Sequence, residues 1–221
     1  MNKKHWLILT AFFLLVIIFF SLALISTRLN TGNNVREIVN VRNKIIFVGD
    51  SLTHRYNLDK FYSYDDTLII NNGIGGYKTD DILNIFHNLI EIEQANKMFL
   101  LIGINDIGKG QTEDYIVNNI IKIIDKTKQK SPNTKIYVES IYPVNSSLRS
   151  NDKSRNNEII KEINSRIEEY CKNNNITYIN IFNTLVDSEG NLDASYTEDG
   201  LHLNDYAYSL VTRQLKPYVE E

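Results

Sequence analysis

Cysteine is nearly absent from this chain: Cys171 is the only one among 221 residues. An intramolecular disulfide and a zinc cage of several thiolates are therefore both excluded. Cys171 lies beside Tyr170 in an amphipathic helical pattern with no reactive motif around it, so it reads as a packing residue. Proline is scarce, with three residues, while Asn, Ile, Lys and Tyr are abundant, a composition that suits a globular protein. A basic surplus is missing as well. Of 24 basic and 27 acidic side chains, residues 1–43 hold five and one, leaving a net charge of about −7 on residues 44–221. Such a surface argues against nucleic acid, whose binding relies on neutralised phosphates, and against electrostatic docking on anionic lipid. No internal repeat and no second globular domain can be discerned.

One stretch lacks charge altogether. Residues 6–27 hold no ionisable acid or base and are mostly Leu, Ile, Phe, Val and Ala. At about 1.5 Å per residue this run spans roughly 33 Å as a helix, enough to cross a bilayer. Ser21-Leu22-Ala23 and Ala23-Leu24-Ile25 fit a small-x-small cleavage site poorly, and no Cys follows for lipid attachment. The expectation is an uncleaved single-pass anchor over 1–27 and a polar linker over 28–43. Lys3 and Lys4 precede the run, and Arg28, Arg36 and Arg42 follow it, offset by Glu37. The count is close to even, but the compact basic head favours a cytoplasmic N-terminus and an extracytoplasmic domain over 44–221.

Within that domain, strand and helix patterns alternate. Lys44-Ile45-Ile46-Phe47-Val48 is a short apolar run closed by Gly49, the pattern of a buried strand. Further strands are expected at residues 68–70, 97–103, 135–140 and 176–180. Between them, apolar stripes at helical spacing run through Ile82, Leu83, Phe86, Leu89 and Ile90 in residues 80–93. Similar stripes run through Ile116, Val117, Ile120, Ile121 and Ile124, and through Ile159, Ile160, Ile163, Ile167 and Tyr170. A closing helix covers 206–219. Alternation of this kind implies right-handed βαβ units and a parallel sheet covered on both faces, an α/β fold.

In such a sheet, chemistry gathers at the C-terminal ends of the strands. Gly49-Asp50-Ser51-Leu52 places Ser51 there as a candidate nucleophile. Asp199-Gly200-Leu201-His202 sets an acid three residues before an imidazole, so that a turn can join them and leave the other ring nitrogen facing Ser51. Asn105, in Gly103-Ile104-Asn105-Asp106, follows the third strand and carries an amide that can donate to a developing negative charge. The turn Asn71-Asn72-Gly73-Ile74-Gly75-Gly76 can offer a bare backbone N–H. Gly76 suits that role by position, with Gly73 and Gly75 as neighbours. Taken singly, Ser51 reads equally as a helix cap, His202 as a loop histidine, and the Asn and Gly clusters as turns. Together they fill each role of serine acyl transfer once. Asp50 and Asp106 are expected to hold their loops through backbone amides. His54 is expected on the first helix, pointing away from the pocket, and His87 on a solvated face. A metal site at Asp199 and His202 lacks further ligands.

These motifs, in this order, resemble the GDSL or SGNH family of serine esterases and lipases over roughly residues 44–215. The resemblance implies a flavodoxin-like three-layer α/β/α sandwich with a five-stranded parallel sheet of order 2-1-3-4-5, and no metal or other cofactor. It implies Ser51 as nucleophile, Asp199 and His202 as the rest of the triad, and Gly76 and Asn105 completing an oxyanion hole with the Ser51 N–H. One departure is Leu203, where the family often has Pro; it should alter the approach to the closing helix without removing a catalytic atom. The expected activity is hydrolysis of a short acyl ester, acetyl above all, on a small molecule or an extracytoplasmic glycan. Transfer of the acyl group to a sugar hydroxyl, lysophospholipid hydrolysis and non-catalytic glycan binding are the other readings compatible with the same residues.

Overall fold

The computed structural model describes residues 43–91, 94–149, 152 and 154–221. The chain divides into two units, Met1–Asn40 and Val41–Glu221, and every described residue belongs to the second. The expected anchor over 1–27 and, apart from Asn43, the linker over 28–43 lie outside the described residues. Among the described residues no helix is long and apolar enough to cross a membrane.

Five strands form one parallel sheet: β1 (Asn43–Gly49), β2 (Thr67–Gly73), β3 (Lys97–Leu101), β4 (Lys135–Glu139) and β5 (Thr177–Ile179), in the order β2-β1-β3-β4-β5. The long helices are α1 (Thr79–Phe86), α2 (Glu113–Lys130), α3 (Asn157–Asn173) and α4 (Asp205–Glu220). Strand side chains alternate between faces, and here the two faces differ in chemistry. Phe47, Phe99 and Tyr137 are register partners across β1, β3 and β4. Their rings stack at centroid distances of 4.6 Å, and Tyr137 meets Tyr218 of α4 at 5.6 Å. Aromatic area on this scale supplies a large share of the burial on that side. The opposite face carries aliphatic Met98, Leu100 and Val138, with Thr127 of α2 touching the Met98 sulfur. A sheet with two apolar faces must be covered twice, hence the three layers.

Helix ends are satisfied locally. Asparagine, so common in the sequence, caps α3 through Asn156 and α4 through Asn204, accepting from amides that have no partner inside the helix. The Lys97 ammonium donates to the carbonyls of Tyr218, Val219 and Glu221, closing the other end of α4 where the helix dipole favours a cation. The helix expected over 80–93 ends at Phe86 and widens into a π turn, His87–Glu91, while 92–93 lie outside the described residues. The strand expected over 97–103 stops at Leu101, since Gly103 adopts φ 127° and turns the chain into the short helix Ile104–Gly108.

Two glycines set how closely the turn after β1 can seat. A Cβ on Gly49 would lie 2.2 Å from the Thr53 hydroxyl oxygen and 2.3 Å from the Leu101 carbonyl oxygen. On Gly73 it would lie 2.2 Å from the His54 backbone nitrogen. Backbone obstacles of that kind cannot rotate away. Gly73→Ala is therefore expected to cost about 1–3 kcal/mol, as overpacking does, read from the denaturant midpoint. Gly75→Ala, whose Cβ would meet nothing within 4 Å, is expected to stay within about 0.5 kcal/mol of the parent.

Candidate active site

Ser51 opens a single helical turn, Ser51–His54, directly after β1. Asp50 caps it: its Oδ1 accepts from the Leu52 amide at 2.9 Å, while its Oδ2 is buried with no hydrogen-bond partner among the described residues. Burial pushes the Asp50 carboxyl up to about 7, against the Leu52 hydrogen bond and with the nearby Asp106 charge adding to the rise. The turn is also tied from outside. Asn71 donates to the carbonyls of Thr53 and Tyr56, and the Tyr208 hydroxyl of α4 donates to the Leu52 carbonyl at 2.7 Å.

From this seat the Ser51 hydroxyl reaches His202 Nε2 at 3.0 Å. The other ring nitrogen, Nδ1, lies 2.6 Å from Asp199 Oδ2. Asp199 Oδ1 meanwhile accepts from the amides of Leu201 and His202 at 2.9 and 2.8 Å, so the carboxylate builds the turn that presents the ring to it. Partial burial works against its ionisation, but the His202 and Leu201 amides and the imidazole outweigh this and hold Asp199 down at about 2. An ionised Asp199 requires the proton on Nδ1, which leaves Nε2 as the acceptor facing the serine. A hydroxyl, an imidazole and a carboxylate thus stand in a hydrogen-bonded line, the arrangement that nucleophilic catalysis by a serine would need.

Asn105 sits in the short helix after β3, at the same sheet edge, and is 9% exposed. Its Nδ2 donates to the Tyr77 carbonyl at 3.0 Å and its Oδ1 accepts from Arg155 at 3.1 Å. Asp106 behaves as a brace: it accepts from the Thr79 amide and hydroxyl at 2.9 and 2.6 Å, tying this turn to the start of α1. Burial raises its pKa, opposed by the Thr79 contacts. Among the candidate glycines, Gly73 has its N–H committed to Asn71 Oδ1 at 2.9 Å. That narrows the backbone donor to Gly75 and Gly76, of which Gly76 takes the left-handed φ of 81°.

The remaining candidates lie elsewhere. His54 Nδ1 is 3.1 Å from the Gly73 carbonyl, on the β2 side of its turn. His87 is exposed on the π turn. Cys171 is fully buried, and burial pushes its thiol up to about 12, which keeps it protonated and inert. Leu203 is buried and bridges to Thr197, and Asn204 then caps α4, so the approach to the closing helix is made without a proline. Arg149, Asp152 and Arg155 escape a reading of the sequence: no motif marks them in a polar loop, and although both arginines pair with Asp152 three residues away, the contacts that bring them to Asn105 and Asp199 span about 50 positions.

The profile of the GDSL-like lipase/acylhydrolase family matches residues 47–210, most of the chain and all of the residues just described. The chain belongs to that family. Among solved structures, a Streptococcus pneumonia protein described as a platelet activating factor is 29% identical, with a TM-score of 0.75 over 93% of this chain and 98% of the other. A GDSL-like lipase from Bacteroides thetaiotaomicron shares the fold, with TM-score 0.70, 23% identity and coverage of 80% and 88%. Among curated proteins, an N-acylneuraminate cytidylyltransferase of Escherichia coli is 28% identical over 89% of this chain and 44% of its own length. One from Streptococcus agalactiae is 27% identical over 80% of this chain and 38% of its own. The chain spans less than half the length of these curated relatives.

The state of Asp50 is open to measurement. Its folded pKa of about 7 exceeds the usual 3.8, so the folded protein binds this proton more tightly than the unfolded chain. The resulting stability is complete below about pH 4 and is lost as pH rises through 7. Denaturant midpoints taken from pH 4 to 8 should fall less steeply in Asp50→Asn than in the parent. Equal slopes would mean that Asp50 is already ionised in the folded protein below neutrality.

Proposed function

We propose that this protein is a membrane-anchored serine esterase that removes a short acyl group, acetyl above all, from a carbohydrate outside the cytoplasm. The observation that carries the chemistry is the line from the Ser51 hydroxyl through His202 to Asp199, with contacts of 3.0 and 2.6 Å. Ser51 Oγ attacks the ester carbonyl while His202 Nε2 takes its proton. Asp199 stays ionised and stabilises the imidazolium. The tetrahedral oxyanion is held by the Ser51 and Gly76 N–H groups and by Asn105 Nδ2. Collapse expels the alkoxide, which receives the proton from Nε2, and leaves an acyl-serine. Water, deprotonated by the same nitrogen, then attacks the acyl carbonyl; the acid leaves and the serine regains its proton.

The substrate class rests on other features. Beside His202 lies a cleft of about 230 Å³ lined by Arg55, Glu198, Asp199, His202, Leu203 and Asn204. Such polar walls suit the hydroxyls of a sugar better than a long alkyl chain. The curated relatives are named for a sugar, N-acylneuraminate, which makes its acyl esters the first glycans to try. Anchoring and an extracytoplasmic domain rest on the uncharged run at 6–27 and the basic residues around it.

Ser51→Ala should abolish turnover of an acetyl ester, and Asn105→Ala should lower kcat by about 10²–10³ as loss of an oxyanion donor does. Retained activity in the serine variant would remove the mechanism. An ester panel from acetyl to long acyl, on sugar and on lipid, tests the substrate class. A rate that climbs with chain length would point to a lipid substrate, and product found on an added glycan would point to acyl transfer.

A further inference from the structure

The segment between β4 and α3 grips both halves of the site, and its centre is one carboxylate. Asp152 Oδ2 accepts from Arg149 Nη2 at 3.1 Å and from Arg155 Nη1, and Asp152 Oδ1 accepts from the Ser154 hydroxyl at 2.6 Å. From this hub Arg155 reaches the oxyanion side: Nε donates to the Ile104 carbonyl at 3.0 Å and Nη2 to Asn105 Oδ1 at 3.1 Å. Arg149 reaches the acid–base side, donating from Nη1 to the Asp199 carbonyl at 3.2 Å. The three side chains are 14–20% exposed, too covered to be ordinary surface ion pairs.

Two glycines make room for this. A Cβ on Gly108 would lie 2.2 Å from the Arg155 guanidinium carbon, and one on Gly200 would lie 2.7 Å from Arg149 Cγ. Gly108 ends the turn that carries Asn105, and Gly200 sits between Asp199 and His202 in the triad turn. Each catalytic loop therefore lacks a side chain where one arginine of the pair passes.

We propose that Asp152, Arg149 and Arg155 form a positioning clamp that fixes the orientation of the Asn105 carboxamide and the Asp199 turn relative to one another. The inference rests on the esterase reading for its kinetic consequences but not for its geometry. A carboxamide is nearly symmetric in shape and can sit with oxygen and nitrogen exchanged. A guanidinium offers only donors, so its contact with Asn105 obliges the oxygen to face Arg155 and the nitrogen to face the site. One Nδ2 hydrogen goes to the Tyr77 carbonyl, which leaves the second for the oxyanion. The positive charge on the oxygen side also polarises the amide and makes that N–H a better donor. The Asp152 carboxyl is pushed up by its partial burial, but Ser154 and the two guanidiniums outweigh this and hold it well below the usual range. It therefore carries its charge at any working pH.

The test uses the full chain. Arg155→Met should lower kcat on an acetyl ester by about 10–100-fold, with KM changed less than about threefold, because an oxyanion donor is misaligned and ground-state binding is not. Arg155→Lys keeps the charge but cannot span Ile104 and Asn105 together, and should fall between. Gly108→Ala should match Arg155→Met and add nothing to it. Arg155→Met should add nothing to Asn105→Ala. Losses that multiply, or that appear only in KM, overturn the clamp. The side-chain NH₂ resonances of Asn105 in ¹⁵N-asparagine-labelled protein read the same device without any reaction. Exchange broadening or a shift in Arg155→Lys, in protein whose melting curve shows it folded, supports the clamp. Unchanged resonances overturn it. A parent protein that fails to hydrolyse any ester would sink the esterase reading, and the resonances would still decide the clamp.

Discussion

The parallel pairing of β1 with β2 on one side and β3 on the other is the constraint from which the site follows. Register sets Gly49 level with Gly73 and with Leu101, so three strands end on one line and three turns begin together. The first of those turns carries Ser51, the second the candidate backbone donors, the third Asn105. Parallel strands with crossover helices bring such turns to the same edge without any contact between them in sequence. Close seating then depends on the missing side chains at Gly49 and Gly73. Without them the Ser51 turn lies against its neighbours and is held by Asn71 and Tyr208.

Charge is graded with depth at this edge. Asp50, just before Ser51, and Glu139, at the end of β4, are buried and both pushed up to about 7, chiefly by desolvation. Asp199, nearer the rim and facing two amides and an imidazole, is held at about 2. The same side-chain chemistry thus meets opposite outcomes: at Asp50 and Glu139 desolvation outweighs the one donor each has, while at Asp199 two amides and an imidazole outweigh a lesser burial.

Much of this was legible beforehand. Short apolar runs between turn signals marked all five strands, since a strand covered on both faces has few polar positions. Helical stripes found α1 to α3 because 3.6-residue spacing survives in any helix with one buried face. Boundaries were less legible. The π turn at His87–Glu91 and the early stop of β3 depend on local backbone choices that hydrophobic spacing does not record. Short helical pieces such as Leu58–Phe61 and Phe182–Leu185 escaped notice because four residues carry no period.

The site divides along the same line. Ser51, Asn105, Asp199 and His202 could be proposed from sequence because serine acyl transfer would need those side chains and each sits just after a strand or in a tight turn, where spacing along the chain fixes local geometry. Which glycine spends its N–H could not: Gly73 donates to Asn71 two residues back, and the Asn71 carboxamide is turned that way by its bonds to the Thr53 and Tyr56 carbonyls across the fold. The arginine pair was equally hidden. Arg149 and Arg155 reach residues about 50 positions away, and contacts of that span exist only after the chain has folded. Sequence determined the chemistry available and the local turns that present it; tertiary structure decided which hydrogens remain unspent, since that depends on neighbours brought together by packing.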